Sequence, residues 1–300
     1  MNKHETIGVG LFVWNGEKTI RDSVLSILNQ TYKKIKIYVI DNQSSDNTVK
    51  IINDLKKIKK FKNKIHLVID KKKRSIPDVQ KLIIKKFLLK YEYCLIANDD
   101  DLYKSEYIEK LLNKIKTEEL DMVYSLKFTI NENNKIFKTK NFPLYEEKNG
   151  NFLNSIKYLI YRNHWQVSFG LYKTKSYQES MKFYKFIDSS RTNYDNINMF
   201  YFLLNYKISC LKKYLFFYRE KDRRNLNRNK IINRQLNDFR SFFLIYVFQF
   251  NFLKEILGII KGTKKINFFY KAILILLSFL IFLQKTTSFN IKAIKYLKKL

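Results

Sequence analysis

The chain has 300 residues, with 58 Lys and Arg against 27 Asp and Glu for a formal charge of +31, and 46% of it is apolar. A chain this apolar is not a disordered polymer, because it can bury roughly three quarters of its surface in one large domain or two small ones. Seven glycines and two prolines exclude collagen, Gly-rich linkers and low-complexity tails.

From Thr6 to Asp101 apolar runs of strand length alternate with segments of helix length. The strands are expected at Ile7 to Trp14, Ile35 to Ile40, Ile65 to Ile69 and Tyr93 to Ala97. The helices are expected at Glu17 to Gln30, Asp46 to Lys59 and Pro77 to Leu89. This βαβ rhythm implies a parallel sheet with helices on both faces. Ile20, Val24, Ile27 and Leu28 recur at helical spacing, with Asn15 as the expected cap before them. Pro77 suits a first helical turn, where its missing N–H is an orphan anyway. Beyond Asp121, Met122 to Ile130 and Ile136 to Phe142 flank a polar turn and read as a hairpin or a pair of sheet-edge strands. Helices near Phe152 to Arg162 and Tyr194 to Asn205 follow, then two short strands ending at Tyr218. From Asn225 the chain is expected to be mainly helical. The division is therefore 1–222 as an α/β domain and 223–300 as a helical region.

In parallel sheets ligands bind beyond the carboxyl ends of the strands, so the polar residues after each apolar run carry most of the information. Asp99, Asp100 and Asp101 follow the fourth run directly. Adjacent carboxylates repel unless a cation offsets them, and a hard divalent ion with one or two carboxylates, water and phosphate oxygens is a natural remedy. A solvated cluster capping the next helix is the plain alternative. Asp41 and Asp46 favour the ligand reading: the second strand delivers them to the same edge, where Asp41 can accept from a base N–H while Ser44 or Asp46 caps a helix. Trp14 after the first strand adds an aromatic face, and the set reads as a nucleotide-diphosphate site.

The stretches VGLFVWNGEKTI (9–20), SILNQTY (26–32), IYVIDNQSSDNT (37–48) and YCLIANDDDLY (93–103) resemble successive blocks of the family 2 glycosyltransferases, in order and with fitting spacing. The resemblance implies the glycosyltransferase A (GT-A) α/β fold with a mostly parallel central sheet. It places Val13, Trp14 and Asn15 in the first-strand block with Trp14 facing the base, Asp41 on the base, Asp99 near the ribose, Asp100 as main metal ligand (Mg2+ or Mn2+) and Asp101 as reserve ligand. Val13 stands where Thr is usual, and Asn42 where a second acid is usual. The segment 192–219 resembles the block in which an acid opens a helix and Tyr-Arg ends the following strand. This makes Asp195 the expected base, with Asp188 as runner-up. Processive members carry Gln-x-x-Arg-Trp; His164 and Trp165 precede Gln166 without forming it, so transfer of a single sugar is implied.

Arg74, after the third strand, is a candidate cation for the diphosphate, and Arg219, Arg223 and Arg224 are candidates on a closing loop. Three histidines and two cysteines 116 residues apart form no zinc spacing and no disulfide framework, and no cleaved signal is apparent. These features point to a cytoplasm-facing protein. The expected partners are a nucleotide-diphosphate sugar and a glycan or lipid-linked acceptor in surface polysaccharide, lipooligosaccharide or capsule synthesis. A catalytically silent basic module on membranes or nucleic acid is the rival reading. The lysines are scattered and show no compact aromatic-basic motif, so nucleic acid is not expected. Ten lysines against Glu255 alone between Lys254 and Leu300, around the apolar run Ala272 to Leu283, point to an anionic membrane surface, with packing on the domain or a homo-oligomer as the alternative.

Overall fold

The computed structural model describes residues 6–138, 144–146, 150–161, 169–181, 194–220, 250 and 253–297. The first half follows the expected alternation: β1 (Ile7–Val13), α1 (Ile20–Leu28), β2 (Ile35–Asp41), α2 (Thr48–Lys57), β3 (Ile65–Ile69), α3 (Ile76–Ile83, continued by a π-helical turn Ile84–Leu88) and β4 (Tyr93–Asn98). Then come β5 (Leu102–Tyr103), α4 (Tyr107–Thr117), the hairpin β6 (Met122–Ile130) and β7 (Ile136–Lys138), and α5 (Gly150–Tyr161). They are followed by β8 (Gly170–Lys173), α6 (Thr174–Ser180), α7 (Tyr194–Asn205) and β9 (Ile208–Arg219). A helix over 253–262, α8, precedes α9 (Phe268–Leu297).

The strands form one sheet in the order β3-β2-β1-β4-β8-β6-β9-β5, with β7 on β6. β1 pairs in parallel with both β2 and β4, and β2 with β3. β8 runs antiparallel between β4 and β6, whereas β9 is parallel to β6. Six of the nine strands thus point one way, as a mostly parallel sheet requires.

The period of two along each strand sorts the core into two layers. Ile7, Val9, Leu11 and Val13 join Ile37, Val39, Leu95 and Ala97 beneath α1, α2 and α4. Tyr38, Ile40, Cys94, Ile96 and Tyr124 face α3, α5, α6 and α7 on the other side. Gly8 and Gly10 share that second face with Phe12 of β1. A Cβ on Gly10 would come within 2.4 Å of Ile83, and one on Gly8 within 2.4 Å of Tyr91. They let α3 lie close against the central strand.

Three expectations change. Asn15 does not cap α1: the helix starts at Ile20 behind Thr19, with no side-chain cap bond. The two short strands before Tyr218 are one strand, β9, whose register on β6 shifts on both sides of Leu126. Exposed Lys212 and Lys213 lie in that bulge and interrupt the alternation that marks a strand. β8 was not foreseen, because four residues carry almost no periodicity.

α9 packs its inner face on α5, with the Phe152 and Tyr270 rings stacked at 4.0 Å. Among the described residues, no helix is long and apolar enough to cross a membrane. The expected boundary at 222/223 lies outside the described residues.

Candidate active site

Because β2, β1 and β4 are neighbours, their carboxyl ends lie side by side. Val13 stands opposite Asp41 in the register, and Phe12 opposite Asn98. The loops after β1 and β2 are stitched together. Asn15 adopts a left-handed backbone (φ 51), which Asn tolerates better than most residues. Its amide donates to Ser44 Oγ at 2.8 Å, and its Oδ1 accepts from the Ser45 amide at 2.9 Å. Gly16 N donates to Thr48 Oγ1 at 2.9 Å, and Glu17 N to Asp46 Oδ2 at 3.0 Å. Asp46 Oδ1 accepts from the Thr48 amide at 3.0 Å, so Asp46 ties down the first residue of α2, although the cap position itself is Asn47, which makes no side-chain cap bond. Burial pushes the Asp46 carboxyl up, but the bonds from Thr48 and Glu17 outweigh it and hold the group below the usual carboxylate range.

Asp41, the last residue of β2, is fully buried. Its Oδ2 accepts from the Ser44 amide at 3.0 Å, while its Oδ1 has no hydrogen-bond partner. Trp14 is 53% exposed at the end of β1, with Lys73 Nζ 3.6 Å from its ring centroid, well inside cation–π range. Val13 contributes only main chain here: its side chain is in the core, and its carbonyl accepts from Asn42 N at 2.8 Å.

The loop after β3 is held by Asn42. Its Oδ1 accepts from the Arg74 amide at 2.9 Å and its Nδ2 donates to the Arg74 carbonyl at 3.0 Å. An amide does both, whereas a carboxylate at 42 could not donate. The Arg74 guanidinium is paired with Asp70. Burial works to raise Asp70, but the hydrogen bond from Arg74 and the amides of Lys71 and Lys72 hold it below its ordinary value. Arg74 is therefore engaged within its own loop, and Lys73 is the cation lying over Trp14. Asp70 was not singled out from sequence, although it follows β3 just as Asp41 closes β2.

Beyond β4 the three acids divide. Asp99 and Asp100 are half-buried. Asp99 lies against the β1 loop so closely that a Cβ on Gly16 would stand 2.6 Å from its Oδ2. Asp101 departs from the reserve-ligand expectation: it is fully buried and turned inward. Its Oδ2 accepts from Asn98 Nδ2 at 2.9 Å and its Oδ1 from the Arg219 amide at 2.8 Å. Burial and repulsion from Asp100 push its carboxyl well above the usual range. Arg219 is likewise not a loop cation: it ends β9, is 4% exposed, and directs its guanidinium at protein oxygens.

Asp195 is the second residue of α7; its side chain lies outside the described residues, as do Asp188, His164, Trp165, Arg223 and Arg224. The sequence expectation thus brings Trp14, Asn15, Asp41, Asp99 and Asp100 to one edge. It missed the roles of Asp70, Asn42 and Lys73 there.

The chain matches the model of "Glycosyl transferase family 2" over residues 9–180. It is 26% identical to "Glycosyltransferase GlyG" of Streptococcus pneumoniae serotype 4 over 148 residues, 49% of this chain and 42% of that protein. It is also 26% identical over 121 residues, 40% of this chain and 45% of the relative, to the Escherichia coli "UDP-Glc:alpha-D-GlcNAc-diphosphoundecaprenol beta-1,3-glucosyltransferase WfaP". The matched part is thus less than half the length of either relative. Among solved structures, S. aureus TarS 1-349 in complex with UDP superposes with a TM-score of 0.60 at 14% identity, covering 90% of this chain and 69% of that one. At that identity the likeness concerns the fold.

Proposed function

The chain belongs to glycosyl transferase family 2 and has the GT-A fold, and on that premise we propose that it moves one sugar from a UDP-sugar to a hydroxyl of a glycan or lipid-linked acceptor in surface polysaccharide, lipooligosaccharide or capsule synthesis. The observation that carries the reading is the convergence of Asp41, Trp14 and the Asp99–Asp100 pair at the ends of three adjacent parallel strands. The UDP and UDP-GlcNAc complexes of TarS and the UDP-Glc in the E. coli relative's name support uridine. Trp14 offers a face for the base, and a base N–H would supply the donor that Asp41 Oδ1 lacks. Asp99 and Asp100 are hard oxygen donors of the kind Mg2+ or Mn2+ takes one or two at a time. Bound there, the ion supplies charge stabilisation for the departing diphosphate. Asp195 takes the proton from the acceptor hydroxyl, whose oxygen attacks the anomeric carbon in line and inverts it.

A thermal-shift screen of nucleoside diphosphates with and without Mn2+ tests this. Ligand at a hundred times its Kd stabilises by about 2.7 kcal/mol, several degrees for a domain of this size. UDP with Mn2+ is expected to give that shift, and Asp100→Asn to abolish the metal-dependent part. If no nucleoside diphosphate shifts the wild type, the donor site is misassigned.

The same reading places the enzyme peripherally on the cytoplasmic face of an anionic membrane, through α9. Phe269, Ala272, Leu276, Phe279, Leu280 and Leu283 are all exposed, and at helical spacing they share an arc of about 100°. Leu274 and Ser278 lie on the opposite, buried face. An exposed apolar stripe within a segment carrying ten lysines and one acid matches a helix lying in a lipid interface, at about 1 kcal/mol per basic residue near the surface. Full-length protein should float with vesicles containing phosphatidylglycerol and not with phosphatidylcholine alone, and Leu276→Glu/Leu280→Glu should stay behind. Wild type that fails to float ends the membrane reading, and a dimer dissolved by the double substitution assigns the stripe to a second copy instead.

A further inference from the structure

Arg219, read from the sequence as a loop cation, is instead bound to main-chain and side-chain oxygens on two segments beside the site. It sits at the end of β9 opposite Ile130 of β6. Its amide donates to Asp101 Oδ1 at 2.8 Å and its Nε to the Asp100 carbonyl at 2.8 Å. Nη1 reaches the carbonyls of Asn131 at 2.7 Å and Glu132 at 3.1 Å, and Nη2 donates to Asn134 Oδ1 at 2.5 Å. One side chain therefore joins the acidic loop beyond β4 to the turn between β6 and β7. That turn is itself closed by the Asn134 amide on the Asn131 carbonyl, and Asn134 is left-handed at φ 61.

We propose that Arg219 is a positioning residue for the donor site, fixing the direction in which Asp99 and Asp100 face the nucleotide; this rests on the reading of that pair given above. The peptide unit is planar, so a hydrogen bond that holds the Asp100 carbonyl fixes the plane between residues 100 and 101. The Asp101 carboxylate, clamped by Arg219 N and Asn98 Nδ2, fixes the next residue. At the near end Ser23 Oγ donates to the Asn98 carbonyl at 2.8 Å. Between these anchors the loop has little freedom. Only a guanidinium serves here: its planar fork spreads donors over four acceptors in two segments, whereas a lysine ammonium is a single point.

The test uses UDP with Mn2+ as the probe, read by calorimetry and not by turnover. In Arg219→Lys the Mn2+ concentration that half-maximally supports UDP binding should rise at least tenfold, while UDP binding without metal changes less than twofold. Asn134→Ala removes the acceptor of Nη2 at the far end of the link and touches neither carboxylate; it should raise the same midpoint two- to fivefold with the fold intact by circular dichroism. A merely structural role would lower the melting temperature of both variants and leave that midpoint unmoved. Folded variants with the wild-type midpoint overturn the proposal, and Asn134→Ala decides alone if Arg219→Lys does not fold. Wild type that binds UDP equally with and without Mn2+ removes the metal reading of Asp99 and Asp100, and the inference with it.

Discussion

Gly16→Ala isolates the contact between the β1 loop and Asp99. The added methyl would stand 2.6 Å from Asp99 Oδ2 and 2.6 Å from Val13 Cγ2. Ordinary contact opens at 3.4 Å, so about 0.8 Å has to be taken up by one neighbour or both. Val13 is β-branched, 1% exposed and packed in the layer under α1, where density and rotamer stiffness resist displacement. Asp99 is half-buried at a loop, and its carboxylate is the end of a rotatable side chain, so it gives way. A misplacement of about 1 Å in a reacting constellation can cost on the order of a hundredfold. For binding alone, about tenfold, or 1.4 kcal/mol, is expected. Stability should hardly change: among the described residues only Gly150 is a glycine with positive φ, so alanine at 16 gains about 0.4–1 kcal/mol through the unfolded chain, which offsets much of the crowding. Calorimetry of UDP in Mn2+ and a melting curve separate the two effects. Gly258→Ala, with nothing within 4 Å of its Cβ, is the control and should stabilise by about 0.5–1 kcal/mol without touching affinity. In Gly16→Ala/Asp99→Ala the loss should be no larger than in Asp99→Ala, since both act through one carboxylate. A Gly16→Ala protein that binds UDP within twofold of wild type refutes the placement of Asp99 at the donor.

Two further outcomes check separate parts of the account. Asp195→Asn should keep UDP binding by calorimetry and lose at least a hundredfold in sugar transfer, as removal of a general base does; wild-type turnover would move the base to another residue, Asp188 first. Asp70 has a folded pKa held below 3.8, so its stabilisation is present above the unfolded value and lost as pH falls through the folded one. The melting-temperature gap between wild type and Asp70→Asn, worth about 1 kcal/mol for a partly exposed pair, should be constant from neutral pH to about pH 5 and close below about pH 4. A gap that widens in acid would contradict the sign.

What could be read from the sequence was whatever changes over a few neighbouring residues. β1, β2 and β4 end where an apolar run turns polar within one or two positions, so both the sheet and the edge that carries Trp14, Asp41 and Asp99 were legible. Asn15 was misread because Asn before a helix is usually a cap; its left-handed backbone and its bonds to Ser44 and Ser45, 29 and 30 residues away, are set by the neighbouring loop. The division of labour among Asp99, Asp100 and Asp101 could not be read at all. Three identical side chains in a row do not show which faces inward, and Asp101 is held there by Asn98 Nδ2 together with the amide of a residue 118 positions later. That same contact explains why Arg219 resembled a loop cation: among 58 basic residues, a guanidinium buried against main-chain oxygens differs from a solvated one only through the strand that delivers it. The inward turn of Asp101 has a chemical consequence as well. Both of its oxygens are taken, by Asn98 Nδ2 and the Arg219 amide, and it is fully buried, so of the three acids only Asp99 and Asp100 are part-exposed, and the length of the acidic run overstates what the crevice presents.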